Sequence, residues 1–209
     1  MSSTPSLEKV IQRAIDASIA DVHTAIPGIV VEYDAATQKA KIQPAIKRKY
    51  LDGGLVSLPQ LTNVPVVMPR AGKAIVHLLV KKDDVVLVVF SERSVDKWLS
   101  QGGVVDPLDA RRHDLSDAFA IPGGYPFSDP ATVSDPDALT VRNDQAEMKV
   151  LAGGKFSLKS LESSEELLDL LDQLIQAILD ARTTTLLGTM PLVNPQFAVI
   201  KAKLATLKE

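Results

Sequence analysis

Between residues 137 and 159 apolar and polar residues alternate, and nothing nearby in the sequence can cover the apolar set. Leu139 and Val141, Met148 and Val150, and Phe156 and Leu158 recur at period two, the spacing that places side chains on one face of a strand. Asn143-Asp144 and Gly153-Gly154 cut the stretch into short strands. A lone hairpin is barely stable in water. The segment 137–160 therefore constrains the whole chain. It reads as a short β-stalk in which three copies intertwine and bury what one copy exposes.

The region 161–209 extends the same demand and reads as helical. Ser163 and Glu166 have capping-box spacing ahead of a helix reaching Ala181. Leu167, Leu168, Leu170, Leu171, Leu174, Ile175, Ile178 and Leu179 cover a face wider than a surface helix needs. A last helix is expected from Asn194-Pro195, carrying Phe197, Ile200, Leu204 and Leu207, after a connector at Met190-Pro191-Leu192. The two helices would fold back as a hairpin within a trimeric bundle. The candidate site is thus an interface: Leu139, Val141, Met148, Val150, Phe156, Leu158, Leu167, Leu171, Leu174 and Ile178 are the expected trimer contacts.

Residues 1–25 read as an amphipathic helix. Thr4 suits the cap and Pro5 the first turn. Leu7, Val10, Ile11, Ala14, Ile15, Ile19 and Val22 form one stripe, with Glu8, Lys9, Arg13 and Asp16 on the wet side. That stripe must lie on the next domain or on a partner.

From 26 to 127 the pattern changes to short strands. Strands are expected at 28–33, at 39–50 with Ala40, Ile42 and Ile46 on one face, and at 64–68. Pro65 puts the last of these at an edge or bulge. Strands at 75–80 and 85–90 read as a hairpin across Lys81, Lys82, Asp83 and Asp84, with His77 a barrel residue within the first apolar strand. Asp34 to Thr37 and Asp52-Gly53-Gly54 read as turns. A five-stranded OB-type barrel fits this spacing best. A short helical turn at 94–99 carries Trp98, 102–124 looks irregular, and 128–136 reads as a linker. The fold class is mainly β with α.

Composition removes several functions. There are no cysteines, so no disulfide, zinc-thiolate site or thiol nucleophile is available. His23, His77 and His113 are far apart and lack metal-ligand spacing. The paired glycines belong to no phosphate-binding pattern, and no nucleophile elbow occurs. Asp106, Asp109, Asp114 and Asp117 read as loop capping and solvation. Net charge is -3, against the basic excess that a nucleic-acid partner demands. No enzyme, cofactor or metal is expected. No signal peptide is visible, which fits synthesis in a cytoplasm, and no apolar run is long enough for a membrane-spanning helix.

The stretch 26–127 resembles the N-terminal OB-fold domain of baseplate central spike proteins of contractile phage tails. The resemblance is carried by Pro27-Gly28-Ile29-Val30, by Lys41-Ile42-Gln43-Pro44-Ala45-Ile46 and by Val64-Pro65-Val66. The run from Phe90 through Glu92, Arg93 and Asp96 to Trp98-Leu99 is the most distinctive. Arg111-Arg112-His113-Asp114-Leu115-Ser116-Asp117-Ala118 with Ile121-Pro122-Gly123 closes the domain. The resemblance implies a homotrimeric needle in the virion, at the tail baseplate. Its OB domains would sit on the tail hub, and its stalk would pierce the host outer membrane on sheath contraction. The chain departs from that family in having no His-x-His iron motif, a short stalk and a helical C-terminal region. The competing reading is an OB-fold module that binds single-stranded nucleic acid or oligosaccharide. Such a module calls for stacking aromatics in a basic groove, and aromatics make up only 4% of this chain.

Overall fold

A computed structural model describes residues 6–50, 53–131, 135–185, 188–191 and 195–207. Thr4, Pro5, Asp52, Leu192, Asn194 and residues 132–134 of the expected linker lie outside the described residues. The chain divides into two compact units, Met1–Ala131 and Thr132–Glu209.

The first unit opens with α1 (Leu7–Ala20). Its N-cap is Ser6, whose hydroxyl oxygen accepts the Lys9 N–H at 3.4 Å. There follow β1 (Ala25–Asp34), β2 (Lys39–Pro44), β3 (Arg48–Lys49), β4 (Leu55–Val56) and β5 (Leu61–Pro65). Then come β6 (Arg70–Ala71), β7 (Ala74–Ile75), β8 (Val85–Phe90), α2 (Asp96–Gln101) and β9 (Ala118–Pro122). Five strands form one antiparallel sheet in the order β5-β2-β1-β8-β9. The sheet curls until its two edges meet. Val66, just past β5, bridges Ala120 of β9 in parallel, and the Val67 N–H donates to the Ala120 carbonyl at 2.8 Å. This is the partly open five-stranded barrel of the OB type.

Alternation along the strands builds the interior. Val30, Ile42, Leu61, Val64, Val66, Met68, Val86, Val88, Phe90, Ala118 and Ala120 form the core. Each buried Val, Leu, Ile, Met or Phe there contributes about 1.5–3 kcal/mol. Gly28 lets the β1 backbone approach this core closely. A Cβ there would lie 2.5 Å from Ile42 Cγ2 and 3.0 Å from Val88 Cγ2.

Three expectations for the barrel are corrected. Residues 76–80 belong to no ladder and form no hairpin with β8, because β1 and β9 already occupy both edges of β8. His77 is accordingly not a barrel-strand residue; it is exposed, with the Tyr33 hydroxyl 3.5 Å from its Nε2. Ile46 does not share the face of Ala40 and Ile42: β2 ends at Pro44, and Ile46 is exposed beyond it.

The second unit holds β10 (Leu139–Arg142), β11 (Ala146–Val150), β12 (Phe156–Ser160), α3 (Leu167–Asp180), β13 (Arg182–Thr185), β14 (Gly188–Pro191) and α4 (Pro195–Ala205). The first three strands are an antiparallel meander, and β13 pairs with β14. Asn143 makes the first turn, its Oδ1 accepting the N–H of both Gln145 and Ala146 at 2.8 Å. Gly153 and Gly154 make the second at φ +78 and +76, a region that favours glycine.

Two expectations here are also corrected. The α3 N-cap is Glu166, not Ser163: one carboxylate oxygen accepts the Asp169 N–H at 2.8 Å and the other the Leu158 N–H at 2.8 Å. Ser163 instead makes a local turn, its Oγ accepting the Glu165 N–H at 3.4 Å. The stretch between α3 and α4 is a hairpin rather than a plain connector, so the region 161–209 is not helical throughout. The two helices do meet: Lys201 Nζ donates to Gln176 Oε1 at 2.7 Å and lies 3.6 Å from Asp172.

Candidate assembly surface

The apolar face of the meander is the open one. Its register stacks Leu139, Val150 and Phe156 in one cross-strand row and Val141, Met148 and Leu158 in the next. Both rows lie on one face, and this face is open: Leu139 is 70% exposed, and Val141, Met148, Phe156 and Leu158 are exposed with it. Val150 is half-buried. The opposite face carries the rows Thr140, Lys149, Ser157 and Arg142, Glu147, Lys159. There Glu147 and Ser157 are buried, and the Glu147 carboxylate is 2.9 Å from Lys149 Nζ. A solvated antiparallel sheet shows the reverse, with apolar residues inside and polar ones out.

The helix adds to the open surface. No residue of α3 is buried. Leu167, Leu170, Leu171 and Leu174 are exposed, while Ile178 is half-buried. Of the ten interface residues expected from sequence, six share the meander face, and Leu167, Leu171, Leu174 and Ile178 lie along α3. Every buried apolar residue among the described ones lies in the first unit, between Val30 and Ala120. The second unit has no apolar core of its own among those residues.

A second constellation, in the first unit, was not anticipated from sequence. Asp117 is 0% exposed at the start of β9 and accepts a fork from Arg111. Arg111 Nε donates to Asp117 Oδ2 at 2.6 Å and Nη2 to Oδ1 at 2.9 Å. The same guanidinium reaches Asp109 Oδ2 at 2.9 Å and the carboxylate of Asp96, at the start of α2. The Val95 N–H donates to Asp117 Oδ1 at 2.9 Å. Arg111 is therefore held well above its ordinary pKa, chiefly by Asp117 and then by Asp96, against the cost of burial. The clamp ties α2 and the loop before β9 to the barrel wall, with Trp98 edge-on against Phe119 at 6.2 Å.

Residues 26–123 match the family model of the phage protein Gp138 N-terminal domain. No curated protein matches the chain. The Gp138 domain match takes in all five barrel strands and the Arg111–Asp117 clamp. It covers just under half of the chain and leaves out α1 and the whole second unit.

Asp117 corrects the reading of the acidic loop as solvated. Asp114 does cap its own turn, its Oδ1 accepting from the Ser116 N–H at 2.8 Å and hydroxyl at 2.7 Å, which lowers its pKa. Asp117 points inward instead. The available signal was its place: one residue before an apolar strand and six after an arginine. Among the described residues no group of three His, Asp or Glu is arranged to hold a metal ion, and no helix is long and apolar enough to cross a membrane.

Proposed function

We propose that this chain is a structural component of a phage tail: the central spike of a contractile tail, mounted as a homotrimer on the hub of the baseplate. The observation that carries the proposal is the inverted meander, with Leu139, Val141, Met148, Phe156 and Leu158 open to solvent while Glu147 and Ser157 are covered. Three such faces brought around one axis supply the apolar core that the described part of the second unit lacks. The Gp138 domain match supports a place in a phage particle. In this reading the barrel is the mounting, the second unit is the stalk, and the assembly helps to puncture the host envelope on sheath contraction. It works mechanically, with no catalytic step.

Immuno-electron microscopy tests this role. Antibody raised against the full chain should label the distal end of tails in particles from cells that encode it. Particles with no label at any tail end would overturn it.

A further inference from the structure

Where β1 pairs with β8, from Ala25 to Ile29, the outer face of β1, β8 and β9 carries no charged residue; Glu32 and Asp34 lie farther along β1. Register places Ala25, Val89 and Phe119 in one row, Pro27, Leu87 and Ile121 in the next, and Ile29 beside Val85. The inner residues of the same strands, Val86, Val88, Ala118 and Ala120, form the core. These strands are therefore apolar on both faces, a pattern that belongs to sheets covered on both sides. Trp98 covers only the corner at Phe119. Ile29, Leu87 and Ile121 are left exposed.

The same unit has an unpartnered helix. All fourteen residues of α1 are exposed, including Leu7, Val10, Ile11, Ile15 and Ile19 of its stripe. Its last turn is fixed to the barrel: Arg48 Nη2 lies 2.8 Å from Asp21 Oδ1 and 3.3 Å from the Ala20 carbonyl, and the His23 N–H donates to the His113 carbonyl at 3.2 Å. The helix is thus an arm held at one end, not a loose tail.

We infer that α1 of one copy lies on the outer β1-β8-β9 face of the next copy, which closes the ring of barrels in the trimer. This rests on the trimer proposed above and names its contact. Size fits: fourteen helical residues span about 21 Å, and six residues of strand span about 20 Å. Three strands offer a bed about 10 Å between outer axes, close to a helix diameter of ~10 Å. Lys9, Arg13 and Asp16 face away from the stripe, and the one charge within its outline is Glu8, which helical spacing sets at the edge between Ile15 and Ile19. A bundle of three α1 helices is a poorer use of the stripe. Its centre holds Leu7 and Ile11 with the small Ala14 and Ser18, and its flanks carry Val10, Ile15 and Ile19, a width that suits a sheet better than a narrow coiled-coil seam. A cyclic trimer needs two different surfaces on each copy, and the first unit offers this pair.

The chain has no cysteine, so cross-linking can be sited at will. Full-length protein carrying Ile15→Cys and Leu87→Cys, both at exposed positions, is sedimented and then treated with a short bis-maleimide. Covalent dimers and trimers are expected on a denaturing gel from the double variant and none from either single variant. Links in Ile15→Cys alone would mean that the arms meet each other, and links in Leu87→Cys alone that the faces do; either overturns the inference. A link within one chain overturns it as well. A double variant that sediments as a trimer but stays unlinked refutes this contact and leaves the trimer standing. A monomer removes both.

Discussion

Replacing Arg111 by Ala should destabilise the barrel by about 3 kcal/mol. The figure follows from what the side chain leaves behind. Asp117 is fully buried, and Arg111 supplies both bonds of its fork. Removing one partner of a buried ion pair costs about 3–5 kcal/mol, because the remaining charge stays in low dielectric. The lower end applies here, since the Arg111 side chain is 25% exposed and the Val95 N–H still reaches the carboxylate. For a unit of this size that loss lowers the melting temperature by roughly 10 °C. Trp98 is the single tryptophan and sits on the helix the clamp restrains, so its fluorescence follows the melt at the right place. Arg111→Lys should recover only part of the loss, because an ammonium cannot form the fork. A melt of Arg111→Ala within about 0.5 kcal/mol of the parent, the range of an ordinary surface change, would refute the reasoning.

Gly28→Ala should overpack the barrel at Ile42 and Val88 and cost about 1–3 kcal/mol in a chemical denaturation series. Leu171→Ala with Leu174→Ala should lower trimer stability strongly in a thermal melt followed by sizing, since burial in a shared core makes each truncation cost about 2–5 kcal/mol; an effect within about 0.5 kcal/mol would show that both side chains stay in water. The pKa of Asp114 is depressed in the folded chain by its Ser116 bonds, with Arg111 and His23 adding to the effect. Its contribution is therefore complete above the ordinary aspartate value of about 3.9 and fades as pH falls through the lower folded value. Asp114→Asn should flatten that acid limb in melts taken between about pH 2 and 5 and leave the limb above it unchanged.

The elements legible in the sequence are those whose pattern and partners agree. Along β2 period-two alternation coincides with burial, so Ala40 and Ile42 are readable as core, whereas β8 is apolar throughout, so the strand is legible but not which of its faces is buried. The meander was legible for the same reason, and its turn residues Asn143, Gly153 and Gly154 sit where they were expected. Residues 76–80 show where pattern fails. The run is apolar except at His77, but pairing is decided by which edges are free, and β8 has none. The β13–β14 hairpin escaped because Arg182 to Thr185 and Gly188 to Pro191 lack alternation. Cap choice at α3 turned on tertiary contact: Glu166 also binds the Leu158 N–H of β12, a partner that local spacing cannot reveal. The Arg111–Asp117 clamp was hidden by composition, since an aspartate among four in a loop looks solvated until the strand after it turns inward.

Sedimentation of the full-length chain at micromolar concentration tests the central claim most directly. A homotrimer gives a mass of three times 22.5 kDa that stays constant on dilution, and Met148→Glu, which sets a charge in the middle of the exposed meander face, should dissociate it while Trp98 still reports a folded barrel. A parent chain that sediments at 22.5 kDa would contradict the account.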